Sequence, residues 1–326
     1  MVQTTTKNKV IGIDIGTERT TYAIVDIRGN VLAKDGFRTL DYPNVNEFVT
    51  VICERVVDMM LKENVLEEIR SVGISAPSGN FKTGSMENSP NMPWKGVVPL
   101  AAMMRDRLGL AVALANDCHV IALGERAFGS AHGMQNFCVV TIGHGLGSAF
   151  YSNGQIHLGA DGFAGELGHT CMVDHGRQCK CGLHGCLEAY VAARGVAQTA
   201  KELMQESDAP SLLRNIDDLT PKAIVTCCEQ GDEMAIEVWR RTGQVLGRGL
   251  ANYASIVNPE AIILAGGISR AGKWLLEPME EAFDEHVFRN VKGKVKLIMS
   301  SLDDRERDVL GASALAWDVP EYSLFK

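Results

Sequence analysis

The side chains best placed to do chemistry stand together in one stretch, where His169, Cys179, Cys181 and Cys186 fall within about twenty residues. Zinc takes four nitrogen or sulfur ligands at tetrahedral corners. Two cysteines one residue apart supply an edge, Cys186 a third corner and His169 the fourth. The spacing is not a pair of CxxC hooks, so a generic zinc finger fits poorly. Reduced cysteines that merely cluster are the plainer alternative. Against it, Gly182 and Gly185 supply the tight turns a metal knuckle needs. Glu166 and Glu188 bracket the cluster. Carboxylates beside a closed metal site point to an ion that shapes a polar pocket and does no chemistry itself.

Three further segments have the composition of phosphate or proton-transfer sites. Asp14-Ile15-Gly16-Thr17-Glu18-Arg19-Thr20 joins two apparent strands. A glycine-containing turn exposes backbone N–H groups that suit phosphate oxygens, and Asp14 is placed to meet a metal-bound water; many such turns are only turns. Gly143-His144-Gly145-Leu146-Gly147 has glycines at alternate positions, which lets the backbone approach a bulky anion. No Gly-Lys-Ser/Thr follows, so it is no P-loop, and a bulged hairpin is the structural alternative. Asn116-Asp117 opens an expected helix. An acid there is held ionised by the helix dipole and suits a base towards a hydroxyl, or is an ordinary cap. Ala265-Gly266-Gly267 follows a buried strand and either packs under an adenine or ribose or merely turns the chain.

The elements that must position these residues come in two similar halves. Val10 to Asp14, Thr20 to Asp26 and Val31 to Ala33 read as a three-stranded meander. Val45 to Leu61 has helical periodicity, Val72 to Ser75 is a strand, and Pro77 to Pro93 reads as a loop. Leu100 to Leu108 reads as a helix, Ala111 to Leu114 as a strand, and 116 to 127 as a helix. The second half repeats the opening with strands at Phe137 to Ile142, Ser148 to Tyr151 and Gln155 to His157. Helices are expected over Leu187 to Glu206, Asp232 to Ile256 and Gly311 to Trp317, and strands over Ala261 to Leu264 and Val295 to Met299. This weak internal repeat implies duplication around a ligand-binding cleft.

At 326 residues the chain is long enough for two domains, and 46% hydrophobic and 22% charged residues are ordinary for a soluble globular protein. A net charge of −8 argues against nucleic acid as partner. No apolar run reaches the roughly 18 residues of a membrane span. The polar Met1 to Lys9 holds no signal core, so a cytoplasmic location is expected. Nine cysteines, an odd number without framework spacing, agree with a reducing compartment.

Taken together, these segments resemble the ROK family (repressors, uncharacterised reading frames and sugar kinases) of the actin-like ATPase superfamily, over nearly the whole chain. Asp14-Ile15-Gly16 is similar to the start of its first phosphate motif, Gly143-x-Gly145-x-Gly147 to its second, and Asn116-Asp117 to its catalytic pair. Glu166-x-Gly168-His169 and Cys179-x-Cys181-Gly182-x-x-Gly185-Cys186-x-Glu188 are similar to its two signature motifs. The resemblance implies an α/β, two-lobed, ribonuclease H-like fold with a zinc knuckle in the C-terminal lobe. The N-terminal lobe is expected over 1–122 plus about 305–326, and the C-terminal lobe over 123–304.

The resemblance also implies roles. Asp117 would be the base towards a sugar 6-hydroxyl. Asn91, Asn116, Glu166, His169 and Glu188 would bind sugar hydroxyls, and Ser78 or Gly79 would line the pocket by backbone. His169 would hold sugar on one ring nitrogen and zinc on the other. Asp14, Gly16, Thr17, Arg19, Gly143, His144, Gly145, Gly266 and Gly267 would face the nucleotide, with Mg²⁺ accompanying ATP. Five positions depart from the family pattern: Thr17-Glu18-Arg19 replaces the second half of the first motif, His144 the usual Thr of the second motif, and His119 the usual Asn three residues past Asn116. Glu18 adds charge where a nucleotide is already anionic, and Arg19 or Mg²⁺ is expected to offset it.

The enzyme this implies is an ATP-dependent hexose kinase, with glucose the expected sugar and a homodimer or homotetramer the expected assembly. The alternative is a sugar-sensing regulator or a pseudo-kinase. The family's repressors carry a winged helix-turn-helix before this body, and Met1 to Lys9 is too short for one.

Overall fold

The structure, a computed structural model, describes residues 6–89 and 92–319. The chain divides into two compact units, Met1–Gly133 with Leu158–Ala164 and Ser301–Lys326, and Met134–His157 with Gly165–Ser300.

The first unit opens with β1 (Lys9–Ile15), β2 (Arg19–Asp26) and β3 (Val31–Arg38), an antiparallel meander. Helix α1 (Val45–Lys62) follows, capped by the Asn44 side chain on the N–H groups of Asn46 and Glu47. Then come β4 (Ile69–Ser75), the short β5 (Gly79–Asn80), β6 (Ser85–Glu87) and β7 (Val97–Val98), α2 (Leu100–Leu108), β8 (Ala111–Ala115) and α3 (Asp117–Phe128). The main sheet runs β3-β2-β1-β4-β8, with β1, β4 and β8 parallel. β1 and β4 are buried almost throughout because helices cover the centre of the sheet. The stretch expected as a loop from 77 to 93 instead holds β5 and β6, which with β7 form a small antiparallel sheet.

The second unit repeats that order. β9 (Phe137–Ile142), β10 (Leu146–Ser152) and β11 (Gln155–Ile156) form its meander. Helices α4 (Glu188–Val191), α5 (Ala193–Glu206), α6 (Pro221–Glu229) and α7 (Glu233–Val257) precede β12 (Ala261–Ala265), α8 (Lys273–His286) and β13 (Lys296–Met299). The sheet runs β11-β10-β9-β12-β13, with β9, β12 and β13 parallel. The internal repeat read from the sequence is thus a repeat of sheet topology. Each unit has its own apolar core. Among the described residues no helix is long and apolar enough to cross a membrane.

Three departures from the sequence reading have local causes. The helix expected over 187–206 is two helices, because Ala192 turns extended (φ −73°, ψ 167°) and the Ala193 N–H donates to Gly143 O at 2.9 Å. α8 carries Pro278 inside it, which masked it, and is covered by α7 through Gly243 and Gly247. The first unit's opening segment runs on to Gly133 rather than to 122. The last helix, α9 (Arg307–Asp318), holds α3 there: a Cβ on Gly124 would stand 3.0 Å from Gly311 Cα. α9 also lies hard against β1 and β4, since a Cβ on Gly12 would meet Val309 O at 2.2 Å and one on Gly73 would meet Ala312 O at 1.9 Å. Glycine is required at both strand positions for that approach.

Candidate functional site

In the second unit the glycine turn, the Glu-x-Gly-His segment and the cysteine knuckle converge on Leu146, the first residue of β10. Its N–H donates to Glu188 Oε2 at 2.9 Å. Its carbonyl lies where only a glycine fits, 2.4 Å from a Cβ on Gly168. A Cβ on Gly145 would stand 2.8 Å from Glu188 Oε2, so a side chain there would displace that carboxylate. Gly143 closes the turn by donating its N–H to Gly145 O at 2.9 Å, and His144 at the tip is exposed.

The knuckle is built from local turns. Cys179 N–H donates to Leu183 O at 2.8 Å, and Gly182 and Gly185 take φ of 93° and 79°, the left-handed region glycine adopts freely. Ligand atoms of His169, Cys179, Cys181 and Cys186 all lie within 4.8 Å of one another. Cys181 Sγ and Cys186 Sγ are 3.7 Å apart, and Cys179 Sγ and His169 Nδ1 are 3.8 Å apart. Tetrahedral zinc with bonds of about 2.0–2.3 Å has ligand–ligand edges of about 3.5–3.8 Å, so the cluster fits such an ion. Burial first, then the neighbouring thiols, push Cys186 up to about 12. Thiols crowded in this way favour a cation among them. Cys171 stands outside the group and approaches Val173 O instead. With Nδ1 turned to Cys179, the other ring nitrogen of His169 is 3.9 Å from Glu166 Oε2.

Sequence reasoning missed Arg177, which locks the knuckle to α5. Its guanidinium donates to Ala189 O, Gly195 O, Thr199 Oγ1 and both oxygens of Glu202, and lies 4.6 Å from the Tyr190 ring centroid. Nothing in its sequence position signals this, because its partners come from a helix up to 25 residues on.

In the first unit, Asp14, Ser75 and Ala115 stand level across β1, β4 and β8. Asn116 and Asp117 follow directly. Asn116 is the cap of α3, its side chain accepting the Cys118 N–H at 2.9 Å, so the capping role expected as the alternative for Asp117 falls on its neighbour. Asp117 reaches solvent, yet the protein around it raises its carboxyl pKa, and Asp308 adds to this; the Cys118 N–H, 2.8 Å from Oδ1, opposes it. Asp14 is pushed up to about 8 by burial, then by the charges of Asp308 and Asp117. The buried Ser75 hydroxyl and Arg307 oppose that shift, although Ser75 Oγ completes no hydrogen bond. Asp308, on the first turn of α9, is a carboxylate the sequence reading did not connect with this site.

Ser78 takes a left-handed φ of 54°, and Gly79 packs its backbone on Ala115, whose O would be 2.6 Å from a Cβ there. The first glycine turn closes with Gly16 N–H on Arg19 O at 3.0 Å, and Thr39 Oγ1 donates to Gly16 O at 2.8 Å. Thr17 is partly exposed and Glu18 exposed. The Arg19 guanidinium lies over Gly36, 3.0 Å from a Cβ there, because β2 carries it across β3. His119, at the position where the family pattern has Asn, is buried with Nδ1 unpartnered. Asn91 lies outside the described residues.

Gly266 follows β12 with φ 92°, pressed on Ile142, whose O would be 2.4 Å from a Cβ. Gly267 next to it faces open space. A cavity of about 320 Å³ opens there, lined by Gly267, Ile268, Arg270, Pro221, Val225 and Trp239. Trp239 Nε1 is buried without a hydrogen-bond partner. Apolar walls with a few polar atoms suit a flat heterocycle.

This arrangement, two β-meander units with a glycine turn in each and a Cys/His cluster in the second, is that of one known protein class. The ROK family model matches residues 10–319, and the chain belongs to the ROK family. It is 31% identical over 313 residues to a protein named glucokinase from Thermotoga maritima, covering 95% of this chain and 97% of that one. It is similar to the crystal structure of a ROK family glucokinase from Streptomyces griseus in complex with glucose and AMPPNP, at 29% identity and TM-score 0.77, covering 95% of this chain and 100% of that one. Regulators are also relatives: the DNA-binding transcriptional dual regulator NagC of Escherichia coli is 27% identical, with 96% of this chain and 77% of that protein covered.

Proposed function

We propose that this protein is an ATP-dependent hexose kinase that phosphorylates glucose at its 6-hydroxyl. The observation that carries the reading is Asp117, exposed at the start of α3, relieved of capping by Asn116 and with its pKa raised. Such a carboxylate accepts the hydroxyl proton as O6 bonds to the γ-phosphorus and the bond to the ADP oxygen breaks in line. Its own ionised form is the base, and the raised pKa makes it a stronger acceptor.

Asn116 and the backbone of Ser78 and Gly79 in the first unit, with Asn91, are assigned to sugar hydroxyls. In the second unit Glu166, His169 through Nε2, and Glu188 take the same role. Backbone N–H groups at Thr17, His144 and Gly145 are assigned to the phosphates, with Gly16 and Gly143 closing the two turns through their own N–H groups and Asp14 beside them. The purine is assigned to the cavity at Gly266 and Gly267. Mg²⁺ accompanying ATP supplies neutralisation of phosphate charge. The Cys/His cluster is assigned a structural zinc, which leaves no open coordination position for substrate.

The test is ADP release from ATP and Mg²⁺ across glucose, mannose, fructose, allose and the N-acetylated hexosamines, for the wild type and Asp117→Asn. Glucose is expected to turn over fastest, and Asp117→Asn to lower kcat at least about a hundredfold while sugar still binds. Sugar binding with no ADP from any sugar would instead support a sugar sensor, the reading the NagC relationship favours.

A further inference from the structure

We propose that Cys171 and Cys186 form a reversible disulfide pair, a modification site through which a peroxide strips the metal from the knuckle. Cys171 lies outside the Cys/His cluster, and Cys186 is one of its members. The pairing is independent of the kinase reading; the release of metal rests on the zinc assignment above.

The two cysteines stand directly opposite each other in an antiparallel bridge. The flanking hydrogen bonds define its type. The Met172 N–H donates to Gly185 O at 2.8 Å, and the Leu187 N–H donates to Thr170 O at 3.0 Å. Those bonds leave Cys171 and Cys186 as the non-hydrogen-bonded pair between them. In such a pair the Cα atoms are about 4.5 Å apart, and the two side chains share a face at their closest approach. A disulfide spans Cα separations of about 4.4–6.8 Å, so the backbone is already in range. Gly185 keeps the approach close. At its φ of 79°, a Cβ would stand 3.1 Å from Cys171 Sγ and 1.9 Å from Val173 O.

The surroundings of the two sulfurs divide the roles. Cys171 is exposed, and its thiol makes a long contact of 3.6 Å to Val173 O. Cys186 is fully buried, with Sγ 3.7 Å from Cys181 Sγ and 3.7 Å from His169 O. Four ligands fill a tetrahedral zinc shell without Cys171, so its sulfur is not committed to metal. An accessible sulfur meets the oxidant first, and a neighbouring one resolves it.

The chemistry balances with hydrogen peroxide as oxidant. Its O–O bond breaks as one oxygen passes to Cys171 Sγ, giving a sulfenic acid and one water. Cys186 Sγ then attacks that sulfur. The S–S bond forms, the S–O bond breaks, and hydroxide leaves and takes a proton to become the second water. Two electrons have passed from the sulfurs to peroxide. Cys186 no longer offers a thiolate, and the shell loses a corner. The segment carrying Glu166 and Glu188 then loses its staple.

The experiment exposes the metal-loaded protein to hydrogen peroxide equimolar with the chain. Disulfides are mapped by peptide mass spectrometry, and free zinc is read with a chromogenic chelator. A Cys171–Cys186 crosslink is expected, with zinc released one for one. A thiol reductant with added zinc should restore both thiols and metal. Cys171→Ser is expected to keep its zinc under the same exposure. Glucose binding, followed by calorimetry, should fall with the zinc and return with it. Crosslinks confined to Cys179, Cys181 and Cys186, or zinc lost as fast from Cys171→Ser, would overturn the pairing. A Cys171–Cys186 crosslink that leaves zinc in place would overturn the release. Starting protein without zinc would count against the zinc assignment alone, because the crosslink map reads the pair either way. Absence of glucose binding before oxidation would likewise count against the sugar reading alone.

Discussion

Glu188 Oε2 receives the Leu146 N–H at 2.9 Å and occupies space 2.8 Å from where a Cβ on Gly145 would be. One carboxylate oxygen therefore ties the knuckle segment to the glycine turn, and the missing side chain of Gly145 makes room for it. Gly145→Ala is expected to push the carboxylate off that N–H. The loss should be about 1.5–3 kcal/mol, the range for a hydrogen bond to a charged group. Glu188→Ala should cost a similar amount, and the double variant little more than either, as residues sharing one interaction do. Denaturant unfolding of the three variants is the check; additive losses would show that the turn and the carboxylate act independently.

The Cys/His cluster is expected to hold one zinc per chain. Elemental analysis should find it in the wild type and in Cys171→Ser, and find it largely lost in Cys181→Ser. Chelation should loosen the segment that carries both Glu166 and Glu188, and so weaken sugar binding. Full metal occupancy in Cys181→Ser, or its loss in Cys171→Ser, would place a different residue in the shell.

Asp14 gives the fold a pH dependence of definite sign. Burial, Asp308 and Asp117 raise its carboxyl from the ordinary 3.8 to about 8. Between those values the folded chain keeps a proton that the unfolded chain has released. Its contribution to stability is therefore fullest below 3.8 and is lost as pH rises through about 8. Relative to Asp14→Asn, which cannot ionise, the wild type should lose stability across that window. Unfolding curves for the two proteins that stay parallel with pH would refute this.

Much of the site is legible in the sequence, for a physical reason. The four residues of the Cys/His cluster lie within about twenty residues and are brought together by local turns, so Gly182, Gly185 and the Cys179–Cys181 spacing announce the cluster directly. The meander strands show the same locality: their apolar runs and glycine turns repeat at Val10 to Asp14 and Phe137 to Ile142. Contacts between residues distant in sequence leave no such trace. The break at Ala192 exists because Gly143 O, far back in the chain, takes the next N–H. Gly12 and Gly73 look like weak points in good strands until α9, from the other end of the chain, packs on them. Asp14 reads as a turn acid until α9 also brings Asp308 to it and changes its proton affinity. The sequence alone therefore determined the residue types, the candidate Cys/His cluster and the duplicated strand plan. Tertiary packing alone decided which carboxylates share a field and which glycines make room for a neighbour.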